Sequence, residues 1–259
     1  MGMGYLDVPE VILGYRSFEL PIYGGPNIDL TYLGIQRFTS ESNSRDDDII
    51  KDISRFKTHA LASNFDHHLG KLLPRRYDKI VYCCMGTYTD KYRKSVLKFL
   101  DQLVQLFYSK QNWMLIYSAA GSQARFSSLN QNQYPNIKIY DFTPQQQLLP
   151  YCDLVITHGG LNTIIECVFA EVPLLILPFA KQADHRGNAS RASYYGIGKV
   201  INQNKKITLK RLEAWMTEAM NNPDYKQSLH NLKKSCNAEE EVGIEKLRKV
   251  LKKKINSIN

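Results

Sequence analysis

At 259 residues and 43% hydrophobic content, the chain is long enough to bury a core and too apolar for the disordered class. No apolar run approaches the roughly 20 residues of a membrane helix, and Met1 to Leu6 carries neither a secretory nor a myristoylation pattern. The formal charge of +9 allows an acidic partner, but the basic residues are not interleaved with aromatics in a nucleic-acid-binding module.

In chain order, the first 77 residues carry only short apolar runs, Val11-Ile12-Leu13 and Tyr32-Leu33-Gly34-Ile35. Pro21, Gly24, Gly25 and Pro26 between them read as loop. A polar stretch from Thr39 to Asp48 leads into a predicted helix from Ile49 to Ala62, and Asp46-Asp47-Asp48 reads as its charged first turn, not as a metal site. This region has too few strands for a complete α/β domain.

From about residue 78, β-rich runs alternate with helical patterns. The predicted strands are Lys79 to Met85, Trp113 to Ser118, Asn136 to Tyr140, Leu154 to Thr157, Leu174 to Leu177 and Lys199 to Ile201. The predicted helices are Lys91 to Tyr108, Asn162 to Ala170, Gly187 to Tyr195 and Leu209 to Met220. This alternation predicts βαβ units: an α/β domain with a Rossmann-like parallel sheet flanked by helices, spanning residues 78–240. Residues 241–259 form a basic helix. Its run from Lys246 to Lys254 suits either an anionic membrane surface or a solvated helix end. The cysteines (Cys83, Cys84, Cys152, Cys167, Cys236) have no C-x-x-C spacing, which argues against structural zinc and for a reducing cytoplasm.

The chemistry concentrates at Thr157-His158-Gly159-Gly160-Leu161-Asn162-Thr163, where a predicted strand turns directly into a helix. Open α/β sheets bind ligands at such carboxyl edges. The glycines permit close approach to the backbone, and the helix N-terminus suits a phosphate. His158, Asn162 and Thr163 add side-chain donors. Glu166 falls one turn after Asn162, on the same helix face, and an isolated carboxylate in that apolar helix needs partners. Phe142, with Pro144 and Gln145 after it, reads either as core or as a ring that stacks on a base. Thr87 after Gly86 reads as a phosphate contact or as a helix cap. No G-x-G-x-x-G follows a strand and no G-x-S-x-G occurs, which argues against nicotinamide, flavin and serine-hydrolase chemistry.

Four segments in order carry a resemblance: Met85-Gly86-Thr87, Phe142-Thr143-Pro144-Gln145, His158 to Glu166, and Asp184 to Arg191. Together they resemble the C-terminal, donor-binding half of a GT-B-fold glycosyltransferase. The family includes UDP-glucuronosyltransferases, plant glucosyltransferases and bacterial macrolide glycosyltransferases. Residues 1–77 resemble the end of the family's N-terminal domain plus a linker. The resemblance implies one half of a GT-B fold and inverting, metal-independent transfer of a hexosyl group from a UDP-sugar to a hydroxyl of a small lipophilic acceptor. UDP-sugar is then a co-substrate, and no cofactor is required.

By that resemblance Phe142, Pro144 and Gln145 meet the base, and Glu166 the ribose. Gly86, Thr87, His158, Gly159, Gly160, Asn162 and Thr163 hold the diphosphate, while Asp184 and His185 grip the sugar. Three departures stand out: Phe142 replaces the usual Trp, His185 replaces the usual Gln, and two extra residues lie between Pro178 and Asp184, the last two bearing on which sugar is held. The family's base is a histidine early in its N-terminal domain, for which His59, His67 and His68 are no counterparts, so the catalytic residue is not assigned. The alternatives are a non-catalytic donor-binding subunit that needs an acceptor-binding partner chain, a nucleotide-sugar epimerase of the same fold, and a nucleotide-binding regulator.

Overall fold

The computed structural model describes residues 11–12, 14–20, 31–32, 77–86, 93–119, 134–179, 184–201 and 206–256. The chain divides into two units, one of residues 38–229 and one of residues 1–37 with 230–259.

The first of these units holds the site. Its strands are β3 (Lys79–Cys84), β4 (Trp113–Ser118), β5 (Ile137–Tyr140), β6 (Leu154–Thr157), β7 (Leu174–Ile176) and β8 (Gly198–Val200). All pair in parallel, in the order β5-β4-β3-β6-β7-β8. Counted from β3 as the first strand, this is the doubly wound order 3-2-1-4-5-6, whose switch point lies between β3 and β6. β6 is buried along its whole length, as expected of strands covered on both faces. Tyr82 in β3 is buried as deeply as its neighbours Val81 and Cys83.

The helices of this unit are α1 (Arg93–Ser109), α2 (Gln145–Leu148), α3 (Leu161–Ala170), α4 (His185–Tyr194) and α5 (Leu209–Asn221). Along β3, Val81, Cys83 and Met85 point to one face and join Phe99, Leu103 and Phe107 of α1 with Leu212 and Met216 of α5 in one core. Alternation sends Tyr82 and Cys84 to the opposite face. There Ile164, Ile165, Cys167 and Val168 of α3 are buried. Two devices lock the strand ends. Asp153 accepts from the Ile80 N–H at 2.8 Å and from Lys79 Nζ at 3.1 Å, tying β3 to the start of β6. Asn136 Nδ2 donates toward the carbonyls of Phe107, Lys110 and Trp113, closing the turn between α1 and β4.

In the other unit, β1 (Val11–Ile12) pairs in parallel with β2 (Thr31–Tyr32). A 3-10 turn, Arg16–Phe18, lies between them. Tyr15 donates to Glu240, and Ser17 Oγ donates to Glu239 Oε1 at 2.8 Å. The carriers of those carboxylates lie on α6, a single 34-residue helix, Pro223–Asn256. That helix starts well before residue 241, where the sequence places the onset of a basic helix. Its buried positions before that point, Leu229, Leu232 and Cys236, are few and embedded in lysines, asparagines and glutamates, so the apolar stripe is thin. The predicted helix at 49–62 and Asp46 to Asp48 lie outside the described residues. All five cysteines are free.

Candidate donor-binding site at the switch point

The carboxyl ends of β3 and β6 meet at Gly86 and His158. Both Gly86 (φ 77°) and Gly159 (φ 98°) adopt left-handed backbone that L side chains rarely take. A Cβ on Gly86 would stand 2.8 Å from His158 Nε2, and one on Gly160 would stand 2.9 Å from His158 Cε1. The imidazole is therefore lodged between two glycines, and only hydrogens fit there. A Cβ on Gly159 would meet the His185 carbonyl oxygen at 3.0 Å and Ile176 Cγ2 at 3.3 Å, because α4 starts directly over the turn. Asn188 of α4, which is buried, fixes that approach: its Nδ2 donates to the Gly159 carbonyl at 3.0 Å and to Asp184 Oδ2 at 3.2 Å.

α3 begins at this turn with Gly160 as its N-cap, no side-chain cap and no acidic residue in its first turn. Its first intrahelical bond runs from the Ile164 N–H to the Gly160 carbonyl at 3.1 Å. The preceding N–H groups, those of Leu161, Asn162 and Thr163, are the orphan donors of a helix start, and the dipole gives that end positive character. Asn162 is exposed there and Thr163 half-buried.

His158 is 8% exposed. Burial lowers its pKa to about 4, helped by the neighbouring His185 and opposed by a hydrogen bond to the Cys84 backbone and by Asp184. The two imidazoles meet edge to face, with ring centroids 4.2 Å apart. Burial also lowers the pKa of His185, with Asp184 working against it. Both rings are thus held neutral near pH 7, and the single N–H of the neutral His158 ring is the one given to the Cys84 backbone. The Cys84 thiol, pushed up to about 11 chiefly by burial, is protonated and inert.

Beyond the helix start, Glu166 sits one turn along α3 and meets α2. Gln145 Nε2 donates to Glu166 Oε2, and Gln146 Nε2 donates to Glu166 Oε1 at 3.1 Å. Gln145 Nε2 also lies 3.3 Å from Thr163 Oγ1. Pro144 caps α2, its carbonyl accepting from the N–H groups of Gln147 and Leu148, both at 3.1 Å. Phe142, just before it, is 50% exposed and so is not a core ring.

The structure thus gathers Gly86, His158, Gly159, Gly160, Asn162, Thr163, Glu166, Asp184 and His185 along one sheet edge. Phe142, Pro144 and Gln145 lie on the adjoining β5–α2 connection. Thr87 lies outside the described residues. Sequence reasoning missed two residues. Gln146 is a second partner of Glu166, and Tyr82 donates to Gln145. Asn188, within the Asp184 to Arg191 segment, braces Gly159. The α3 carboxylate, an oddity in an apolar helix, was the available clue that donors had to come from elsewhere.

Comparison with known proteins agrees with this arrangement. Residues 90–253 match the family model described as the glycosyltransferase family 28 C-terminal domain. An uncharacterized UDP-glucosyltransferase of Bacillus subtilis (strain 168), YdhE, is 28% identical over 180 residues, covering 68% of this chain and 43% of its own length. The zeaxanthin glucosyltransferase of Pantoea ananas is 37% identical over 92 residues, 36% of this chain and 20% of its own. The chain therefore spans less than half the length of these relatives. Among solved structures, the glycotransferase of kitacinnamycin superposes with a TM-score of 0.63 at 20% identity, covering 93% of this chain and 54% of the other. The glycosyltransferase VinC, solved in complex with DTDP, gives 0.53 at 22% identity, covering 69% and 43%. Those two likenesses establish the shared fold. Taken with the family match, they lead to one statement: this chain belongs to the glycosyltransferase family 28 C-terminal domain family.

Proposed function

We propose that this chain supplies the donor-binding half of a nucleotide-sugar-dependent glycosyltransferase that uses a UDP-hexose and inverts the anomeric centre. The observation that carries the reading is the juxtaposition, at one switch point, of a neutral imidazole lodged between Gly86 and Gly160 with a free helix start and an amide-held carboxylate. A nucleoside diphosphate sugar presents a flat base, a ribose diol, a diphosphate and a hexose. The exposed face of Phe142 suits the base, Glu166 the ribose hydroxyls, and His158 with the α3 N–H groups the diphosphate. Asp184 and His185, at the start of α4, suit the hexose.

In transfer, an acceptor hydroxyl attacks the anomeric carbon as the bond to the diphosphate oxygen breaks, and negative charge grows on the departing diphosphate. Preorganised donors aimed at that charge are the share of catalysis this chain provides. The helix start gives backbone N–H groups and dipole, and His158, whose neutral-state N–H goes to the Cys84 backbone, gives a second N–H on taking up a proton beside the diphosphate. On this reading the base and the small lipophilic acceptor are held by a separate acceptor-binding half or partner chain. No cofactor is needed, the setting is the cytoplasm, and the basic end of α6 suits either an anionic membrane surface or solvent. Among the described residues no helix is long and apolar enough to cross a membrane. A second reading, a donor-binding subunit without activity of its own, uses the same site.

Calorimetry with UDP, UDP-glucose, TDP and GDP tests the site. UDP binds, and Glu166→Ala and His158→Ala each weaken it by about 1.5–3 kcal/mol, the scale of hydrogen bonds to charged groups. Affinity unchanged by both substitutions overturns the assignment.

A further inference from the structure

Tyr82 is 1% exposed, yet its hydroxyl leaves the core to reach the binding edge. It lies 2.8 Å from Thr143 Oγ1 and donates to Gln145 Oε1 at 3.0 Å. An amide whose oxygen is taken from one side must turn its NH2 to the other. For Gln145 that other side is Glu166 Oε2, with Thr163 Oγ1 also in reach. Gln146 holds the second carboxylate oxygen. Each oxygen of Glu166 thus spends one acceptor site on an amide and keeps one, so the carboxylate retains two directed lone pairs. That matches a vicinal diol, which presents two hydroxyl donors side by side. A freely rotating carboxylate would offer the same atoms at an entropic penalty.

We propose that Tyr82 and Gln146 are positioning residues for ribose. Tyr82 acts through Gln145 and Gln146 acts directly, together fixing Glu166 so that the site prefers a ribonucleoside diphosphate over its 2′-deoxy counterpart. The inference rests on the reading of Glu166 as the ribose acceptor. Neither Tyr82 nor Gln146 needs to touch the nucleotide.

The test compares UDP with 2′-deoxyuridine diphosphate by calorimetry on the full chain and reads the ratio of the two affinities. Tyr82→Phe and Gln146→Leu are each expected to cut the UDP preference about fivefold or more, the consequence of a misaligned hydrogen bond to a charged group. Affinity for the deoxynucleotide should stay within about twofold, an outcome that general loosening of the site would not give. An unchanged ratio in both variants, or equal loss for both nucleotides, overturns the proposal. Should Tyr82→Phe fail to fold, Gln146→Leu decides by the same ratio. Glu166→Ala separates the two levels. A ratio unaffected by Glu166→Ala removes the ribose reading and the proposal with it. A ratio collapsed by Glu166→Ala and untouched by the other two removes the proposal alone.

Discussion

Burial between two glycines strips water from the His158 ring, and the adjacent His185 opposes a second positive charge, so the pKa falls to about 4 from its ordinary 6.5. The folded state therefore binds fewer protons than the unfolded chain between those two values, and linkage makes stability fall as pH drops through that window. Above pH 6.5 the group contributes nothing to the pH dependence. By pH 5 the loss amounts to about 2 kcal/mol, and it levels off below pH 4. Thermal denaturation of the wild type and of His158→Asn between pH 7 and 5 checks this: the variant should show a shallower decline. Equal slopes would mean that the imidazole is solvated. Much of this site was legible from sequence, because a Gly-Gly turn between an apolar run and a helical pattern is local chemistry. The depth of His158 was not legible, because it depends on Gly86, a residue from a different strand.

Elements here are held by a few buried polar locks and one tight backbone crossing. Asn136 is fully buried, and its Nδ2 donates toward the Phe107 carbonyl at 2.9 Å and the Trp113 carbonyl at 3.0 Å. Asn136→Ala strips these carbonyls of their partner in a dry site, which should destabilise the protein by about 1–3 kcal/mol. UDP affinity should stay unchanged, because the lock closes the α1–β4 turn at the amino ends of the strands, opposite the site. Gly198 is a sharper case: a Cβ there would stand 2.4 Å from the Leu174 carbonyl oxygen. Backbone must shift, so Gly198→Ala should lower the denaturation midpoint more than Asn136→Ala does; a smaller drop would mean that β8 is free to move away from β7. Strands β3, β4, β6 and β7 were readable because continuous apolar runs of three or more residues bounded by turns are what a doubly covered parallel sheet demands, whereas a lysine interrupts each of β5 and β8. The pair β1–β2 was not, since two residues carry no periodicity. Tyr82 escaped notice for a different reason. In sequence it is one more aromatic in a strand, and its bonds to the β5–α2 connection appear only in the fold, reaching Thr143 61 residues away and Gln145 63 residues away.

At the scale of the molecule, the proposed donor edge offers no base for an acceptor among the described residues. The depressed pKa of His158 makes it a poor base in the free chain. Glu166 accepts from two amides. Asp184 accepts from Asn188. General-base help is typically worth about 10²–10⁴-fold, and without it an acceptor hydroxyl is a weak nucleophile. We therefore expect the purified 259-residue chain to bind UDP-glucose yet transfer no hexose to hydroxyl acceptors above the buffer rate. Adding the N-terminal half of a relative in trans should raise turnover, and His158→Ala should lower that raised rate by more than it weakens UDP-glucose, because its hydrogen bond strengthens as charge builds on the leaving diphosphate. Radiolabelled transfer assays with and without the added half decide the matter. Robust transfer by the chain alone, lost on replacing His59, His67 and His68 together with alanine, would locate the base in a segment outside the described residues and overturn the division of labour argued here.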